Sequence, residues 1–598
     1  MSSQKSNPFK VQSPEKISAQ ETVNLFVNVF NDFPDVLTQG DSFINGPRGS
    51  GKSMMFRYMQ PDAQKLVQKC ELSELEYYAC YIPIKATNFD KVELNRLKEQ
   101  AQCVINEHIL TTHILDRFFS SLIHNKVFFC SEDFETLKSF EKNEFRRILK
   151  RAGKREFKEM VFTDIGKLIQ HFQETIEDMH FEVNDYCERI GFQNENLVTY
   201  EGPLCNYLHF LYPILSKFTE LKNLPKNIYL LIDDADNLSD IQKQVLNTWV
   251  FYRLGVNVSL KVSTQMRYNM YQTISGHTID SPHDYSEVNI STVYTSSKNK
   301  YKDLILDIIE RRLKEYQFPL TDPNDFFPLH NDQEVKIKAI YDQHIKNFEE
   351  GSAKGSGRTD DANRYSRPDY IRSLKGASKQ GSSYFYSGYN QLIHLSSGIV
   401  RYFLESSALM YSEMIKNSDG EEIKYISHSV QNKVARNYSN EFLFEEFEKH
   451  VKTAKNNGQP IGDMRKLHNL IDGLGGMFSA ILLSGAAERR VFSVAITDGA
   501  DEDVSKIFEI GVRLGYFQIS TIGNKEGTGR TRLYIMSRRL APVFTLDPNS
   551  FAGYKFLKND ELKVAITDPQ GFIKAIKKKL KADPDENSYI NEQLELFE

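Results

Sequence analysis

The sequence predicts an α/β fold in which a parallel β-sheet is followed by a mainly helical region and then by a small α/β unit. Three observations predict it. Short apolar runs end in glycine or polar residues, as buried parallel strands do at the carboxyl edge of a sheet. An amphipathic helical pattern begins near residue 301. From 462 to 549 the pattern reads helix, strand, helix, strand, glycine-rich turn and strand.

Length and composition limit the class of protein. At 598 residues the chain exceeds the roughly 250–300 residues at which one core stops growing, so several domains are expected. The formal net charge of -5 gives no overall attraction to a nucleic acid, so such a contact needs a local basic patch. The six cysteines form no C-x-x-C pair, which predicts reduced thiols in a cytoplasmic protein. We find no signal-peptide pattern and no run of about 18 apolar residues, so we expect no membrane span.

A motif of the form G-x-x-x-x-G-K-[ST] lies between an apolar run and a helix-like segment, which predicts an α/β P-loop NTPase. Glycines let backbone amides wrap around a phosphate, and the N terminus of the next helix adds partial positive charge. Lys52 would reach the β- and γ-phosphates of ATP, and Ser53 would hold Mg2+. The alternative, a glycine-rich turn with a chance Lys-Ser, is disfavoured by the strand–loop–helix context. The predicted nucleotide-binding residues are Gly46, Pro47, Arg48, Gly49, Ser50, Gly51, Lys52 and Ser53.

A second apolar run, Tyr229–Ile232, ends in two carboxylates. A buried parallel strand would deliver them to the carboxyl edge of the sheet, where α/β proteins bind their ligands. Asp233 fits the role of a magnesium ligand, and Asp234 fits the residue that polarises the attacking water. The alternative is an Asp pair that only caps the next helix, and the preceding phosphate-binding loop argues against it.

These segments resemble the AAA+ ATPases of the origin-recognition-complex type, and in particular their bacterial relatives, many of which belong to defence-type gene clusters. The resemblance rests on Gly46–Ser53, Tyr229–Asp234, the LKVSTQ segment and HLSSGIVRYFLESSALM at 394–410. It implies an ATPase that forms a homo-oligomer, with a helical lid and a C-terminal winged-helix domain after the nucleotide-binding domain.

The same resemblance implies roles for further residues. Thr264 is the candidate for the polar sensor of the γ-phosphate, although a polar residue at a strand end is the plain alternative. Arg401, after Gly398, stands where the family has the arginine of its second sensor; the alternative is a surface arginine. Asp234 departs from the family, which more often has Glu there. The candidates for a trans-acting finger arginine are Arg253, Arg267, Arg311 and Arg312, and none stands out.

The domain boundaries follow from shifts in pattern along the chain. After a predicted Ser297 cap, apolar residues at helical spacing indicate a lid-type helix. Its apolar face carries Tyr301, Leu304, Ile305, Ile308, Ile309 and Leu313. The predicted domains are a nucleotide-binding domain at 1–295 with a helical insertion at about 95–225, a helical lid at 296–455 with a basic loop at 350–385, a winged-helix domain at 462–552, and a basic segment with an acidic tail at 553–598.

Two segments offer local basic patches. The loop at 350–385 interleaves Lys and Arg with tyrosines, which suits a nucleic-acid backbone with base stacking. Its Gly/Ser-rich flanks favour the alternative, a flexible loop whose YSRPDYIRSL part folds back on the core. The predicted wing is also basic, and winged helices bind either DNA or proteins. Its basic residues are Lys525, Arg530, Arg532, Arg538 and Arg539.

Two functions fit these predictions. One is an ATP-driven machine that assembles on or remodels DNA or DNA-bound complexes. The other is a nucleotide-gated signalling switch or scaffold that oligomerises and controls a separate effector protein. Both use the same site and differ in what stimulates turnover. The C-terminal segment Gln593–Phe597 is similar to the Q-L-x-L-F peptide with which bacterial replication proteins bind the sliding clamp, which favours the first function; docking back on the chain itself is the alternative.

Overall fold

The computed structural model of the chain describes most of its residues. The described residues are 6–28, 33–85, 89, 91–157, 160–192, 199–253, 257–265, 270–290, 300–351, 357–376, 383–418, 420–456, 460–486, 488–497, 499, 501–523, 530–549 and 553–582. The predicted wing tip and the predicted clamp-binding peptide lie outside them. The chain forms two compact units, an N-terminal unit of Gln12–Ser291 and a C-terminal unit of Met1–Val11 with Thr292–Glu598.

The N-terminal unit is built on a five-stranded sheet in the order β2-β3-β4-β1-β5, with every pairing parallel. The strands are β1 (Ser42–Asn45), β2 (Tyr77–Pro83), β3 (Asn227–Asp233), β4 (Val258–Thr264) and β5 (Ser286–Asn289). Apolar clusters cover both faces of this sheet, so its central strands carry nearly continuous apolar runs. Because all strands run the same way, the ends of β1, β3 and β4 meet at one carboxyl edge.

Helices surround this sheet and fill the long connection between β2 and β3. Glu99–His124 packs along Ile165–Phe192, where the rings of Phe119 and Phe172 stack with centroids 5.7 Å apart. The unit also carries all six cysteines, none of them in a disulfide. Its helices are Ala19–Leu25, Phe33–Leu37, Lys52–Met59, Pro61–Gln68, Glu99–His124, Ser131–Phe140, Arg146–Ala152, Ile165–Phe192, Tyr212–Phe218 and Asp240–Tyr252.

The C-terminal unit begins with helices. Tyr301–Glu315 buries the six residues that the sequence places on its apolar face, which confirms that amphipathic pattern. The helices up to residue 456 are Tyr301–Glu315, Pro323–Phe326, Asn331–Glu349, Arg358–Gly376, Tyr389–Leu395, Val400–Lys416, His428–Asn440 and Phe447–Asn456.

The predicted basic loop at 350–385 is instead largely helical, since Arg358–Gly376 is a helix. The tyrosines proposed for base stacking are mostly core residues, because Tyr370, Tyr384 and Tyr386 are buried. Arg367 pairs with Glu334 through both oxygens and donates to Tyr384 Oη at 3.0 Å. This segment therefore folds back on the core, as the alternative in the sequence analysis had it. Its interleaved basic and aromatic residues pack within the unit.

The remaining chain forms a four-stranded sheet in the order β7-β8-β6-β9, with helices on it. Its strands are β6 (Val491–Ile496), β7 (Phe517–Gly523), β8 (Arg530–Met536) and β9 (Gly553–Leu557). Its helices are Ile461–Leu482, Glu502–Arg513, Ala541–Phe544, Asn559–Thr567 and Pro569–Ala582. The antiparallel β7–β8 pair agrees with the predicted hairpin.

The predicted basic patch of this hairpin needs a correction at its end. Arg538 and Arg539 are buried, so they are not free to contact a phosphate. Arg539 pairs with Glu446 and lies over the rings of Tyr438 and Phe442, at 3.6 and 4.2 Å from their centroids. Only Arg530 and Arg532 remain exposed among the described basic residues of the patch.

The C-terminal unit also differs from the predicted domain boundaries. Residues 6–11 pack within it: Phe9 is fully buried against Phe326 and Phe327, with ring centroids 5.8 and 5.5 Å away. The predicted lid and the predicted winged-helix domain fall within this one compact unit, and polar contacts join them. Tyr386 Oη donates to Leu546 O at 2.9 Å, for example.

No helix among the described residues is both long and apolar enough to cross a membrane.

A buried lysine ties the start of β1 to β4, and it allows a test of the fold. Lys261 is fully buried, and its ammonium donates to Thr38 O and Gly40 O, both at 2.7 Å. Lys261→Met leaves these carbonyls unsatisfied, at a cost of about 2 kcal/mol. We expect the melting temperature of the N-terminal unit to fall by about 4 to 8 °C in calorimetry. Exposed Lys98→Met serves as the control, and an equal shift there would contradict the assignment.

Candidate functional site

The phosphate-binding loop leaves the carboxyl end of β1 and runs into the helix Lys52–Met59. Gly49 and Gly51 adopt φ values of 88° and 108°, a region that favours glycine. A Cβ on Gly46 would lie 3.0 Å from Ser50 Oγ and 3.2 Å from Ile290 Cβ. The three glycines of the motif are thus required by the tight course of the loop.

Two polar side chains of the loop are buried beneath it. The Lys52 ammonium donates to Gly46 O at 2.6 Å and to Pro47 O at 3.2 Å. The hydroxyl of Ser50 is buried and has no hydrogen-bond partner among the described residues. Such an orphan group calls for an explanation, and a phosphate oxygen would supply the missing partner.

Asp233 is held from both neighbouring strands. Its Oδ1 accepts a hydrogen bond from Ser263 Oγ on β4, and its Oδ2 accepts one from Tyr81 Oη on β2 at 2.9 Å. The side chain is almost fully buried. Two hydroxyl donors therefore fix the orientation of the carboxylate and support its negative charge.

Asp234 follows directly with φ of 57°, and its amide donates to Ser263 Oγ at 3.0 Å. Burial, and next the charge of Asp233, raise the pKa of Asp234 above its ordinary value, while Lys52 and Gln265 lower it. A carboxylate with a raised pKa is a better proton acceptor than an ordinary aspartate. The effect of Lys52 also shows that the loop and the Asp pair lie close together.

The end of β4 presents three polar residues with different contacts. Thr264 Oγ1 donates to Asn45 Oδ1 at the end of β1, and Asn45 Nδ2 donates to Glu287 Oε1 at 2.9 Å. The backbone N–H of the next residue, Gln265, donates to Asp236 Oδ2. The side chain of Gln265 forms a hydrogen bond with Asp234. The structure thus brings the side chain of Gln265 into contact with Asp234.

Sequence reasoning missed Tyr81, Ser263 and Gln265 as residues of the site. The last two flank Thr264, so the polar strand end signalled their region without distinguishing among them. For Tyr81 the chain gives no signal, because its role depends on the register of β2 against β3, where Pro83 pairs with Asp233.

The predicted arginines occupy varied positions. Arg253 ends the helix Asp240–Tyr252, and its Nε donates to Asp284 Oδ1 at 2.7 Å. Arg312 belongs to the C-terminal unit, where it donates to Pro8 O at 2.8 Å. Arg267 lies outside the described residues. Arg401 is half-buried in the first turn of Val400–Lys416, also in the C-terminal unit. Arg311 is exposed on the helix Tyr301–Glu315. The roles of all five arginines stay predictions.

The donor set fits a magnesium nucleotide. Mg2+ is usually held by one or two carboxylates with the phosphates of the nucleotide. Backbone amides of the loop and Lys52 would contact the phosphates, and Ser53 and Asp233 would offer oxygen ligands to the metal. Within the described ranges we find no cluster of three or more His, Cys, Asp or Glu that could hold a metal by itself.

Comparison with known protein families gives one match. A family model described as ORC-CDC6-like matches residues 7–354 and 333–556, a span that includes the loop, the Asp pair and Arg401. No curated protein matches the chain.

The hydroxyl pair around Asp233 leads to a test. Tyr81→Phe removes the donor to Oδ2, so the magnesium concentration for half-maximal ATP binding should rise about tenfold, as for other supports of metal ligands. A magnesium titration with a fluorescent ATP analogue measures it.

The same strand provides the matched control. The buried Tyr77 hydroxyl has no hydrogen-bond partner in the described part of the chain, so Tyr77→Phe should leave the titration unchanged. Equal curves for the wild type and Tyr81→Phe would refute the role of Tyr81.

Proposed function

From the premise that the chain belongs to the ORC-CDC6-like family, we propose that it is an AAA+ ATPase that binds and hydrolyses ATP with Mg2+. We further propose that it assembles on, or remodels, DNA or DNA-bound complexes. The observation that carries the first part is the meeting of Gly46–Ser53 with Asp233 and Asp234 at one edge of a parallel sheet.

Each residue of the site has a role in this proposal. The amides of the loop and Lys52 bind the phosphates, and Ser53 with Asp233 holds Mg2+. When bound, Mg2+ neutralises charge on the β- and γ-phosphate oxygens. Asp234 orients the attacking water and accepts its proton, for which its raised pKa suits it. Gln265 positions Asp234 through its side chain, and Thr264 remains the candidate sensor through its link to Asn45.

Assembly enters the proposal through the AAA+ family. In this class of protein, nucleotide sites are completed by a neighbouring subunit, so we propose a homo-oligomer that forms with ATP. Arg401 is proposed to sense the γ-phosphate, and Arg253, Arg267, Arg311 and Arg312 stay candidates for the finger.

The DNA-directed part rests on the C-terminal unit. Its helix–strand–helix–hairpin order, from Ile461–Leu482 to β8, supports the interpretation as a winged helix. The exposed Arg530 and Arg532 lie at the hairpin end of β8, where they could pair with phosphates. A sliding clamp that binds Gln593–Phe597 would recruit the protein to DNA.

The first test concerns the nucleotide site. Lys52→Ala should abolish nucleotide binding or hydrolysis, because it removes the charge that meets the phosphates. Asp234→Asn should retain ATP binding and lower turnover at least about a hundredfold, since it removes the proton acceptor. Equilibrium binding and phosphate release measure the two effects. Exposed Lys98→Ala and Asp240→Asn are controls, and wild-type activity in Lys52→Ala would disprove the central proposal.

The pH profile gives an independent check on Asp234. The rate should fall as pH is lowered towards the pKa of Asp234, which burial holds above the ordinary value of an aspartate, because protonated Asp234 cannot accept a proton.

The second test separates the two functions that share this site. With a non-hydrolysable ATP analogue, the protein should elute as a larger species, and Arg401→Ala should weaken that shift. Duplex or single-stranded DNA should raise the ATPase rate of the wild type several-fold. An unchanged rate with an ATP-dependent oligomer would favour the signalling switch that controls a separate effector protein. A monomer under all conditions contradicts both.

A further inference from the structure

Two helices follow β9 and lie beyond the residues matched by the family model, which end at 556. They are Asn559–Thr567 and Pro569–Ala582. The second has no acidic residue in its fourteen positions and carries five lysines. This segment is therefore a basic addition to the part of the chain that the family describes.

The helix pair is fixed to Ile461–Leu482 at close range. A Cβ on Gly476 would meet the side chain of Ile573, so the close approach of the two helices at this point favours glycine. Asn469 Nδ2 donates to Ile566 O at 2.8 Å. Five residues of the pair are buried: Leu562, Ala565, Ile566, Phe572 and Ile576. One face of the helix pair is thus packed against the protein, and this packing fixes the position of the residues on the opposite face.

That other face carries exposed lysines. Lys574, Lys577 and Lys578, here called the lysine ridge, are exposed and follow the spacing of one helical face. None of the three has a carboxylate within 4.0 Å in the described ranges, whereas the neighbouring Lys579 pairs with Glu561 at 2.8 Å. Among the residues that the structure describes, no carboxylate therefore neutralises the charge of the ridge.

We propose that the lysine ridge binds the phosphate backbone of duplex DNA. The proposal deepens the DNA-directed part of the proposed function and rests on it. Lysines that neutralise phosphates release condensed counterions, which gives affinity without sequence preference. The lysine ridge would supply this affinity in addition to the exposed arginines of the β7–β8 hairpin, which belong to a different segment of the chain.

The chemistry of the helix favours DNA over other acidic partners. A helix that lies on an anionic membrane needs an apolar face in the lipid, but Phe572 and Ile576 are buried within the protein. Binding to a protein concentrates in aromatic or arginine anchors. Besides the lysines, the exposed positions of the helix up to residue 579 carry only Gln570 and Ala575.

The experiment uses the full chain and labelled duplex DNA of mixed sequence. The test variant combines Lys574→Gln, Lys577→Gln and Lys578→Gln. The control combines Lys336→Gln, Lys338→Gln and Lys449→Gln, which changes the charge equally at exposed positions of the same unit. A third variant replaces the ridge lysines with Arg. Fluorescence anisotropy gives Kd across a salt series, and the ATPase rate without DNA confirms that each variant is folded.

We expect Kd for the Gln variant of the ridge to rise about tenfold or more, with a salt slope shallower by about 2 to 3. The control and the Arg variant should bind like the wild type. If the wild type binds no duplex, the DNA-directed part of the proposed function fails and the inference falls with it.

If the wild type binds and the Gln variant of the ridge binds equally well, the inference alone is overturned. An equal loss in the control overturns it too, since the effect would then be one of net charge. Vesicles of phosphatidylcholine and phosphatidylserine form a separate arm. Ridge-dependent vesicle binding with unchanged DNA binding would assign the ridge to membranes instead.

Discussion

The position of β4 between β1 and β3 is the constraint on which the site depends. In the register of the sheet, Thr264 on β4 pairs with Asn45 on β1. On the other side of β4, Val262 pairs with Ile232, so the next residue, Ser263, follows directly beside the end of β3. Successive side chains of a strand point to opposite faces, so adjacent residues can serve different neighbours. Ser263 bonds Asp233 on β3, and Thr264 bonds Asn45 on β1. The end of β4 thereby fixes both the carboxylate of Asp233 and the end of β1, from which the phosphate-binding loop leaves.

Local patterns predicted the parts of the protein that depend on short stretches of chain. The loop at Gly46–Ser53, the strand before Asp233 and the buried face of Tyr301–Glu315 all follow from spacing within about twenty residues. The contact of Tyr81 with Asp233 could not be predicted this way, because it joins residues 152 positions apart through the register of the sheet.

The errors have a shared physical origin, since composition does not reveal burial. A segment rich in Arg and Tyr was expected to be a loop that could bind nucleic acid. In the structure Arg367 is paired with Glu334, and Tyr384 lies in the core. Arg538 and Arg539 looked like ends of a surface patch for the same reason. Arginine can be buried where carboxylates and aromatic rings surround its guanidinium, and only the tertiary structure shows such surroundings.

The burial of Arg539 has a mechanical consequence. Its guanidinium lies 5.0 Å from the ring centroid of Tyr402, the residue next to Arg401. The same guanidinium lies over Tyr438 and Phe442 and pairs with Glu446. Packed interiors transmit displacement rather than absorb it. A turn of the helix that carries Arg401 would therefore displace Arg539 and the segment that follows β8.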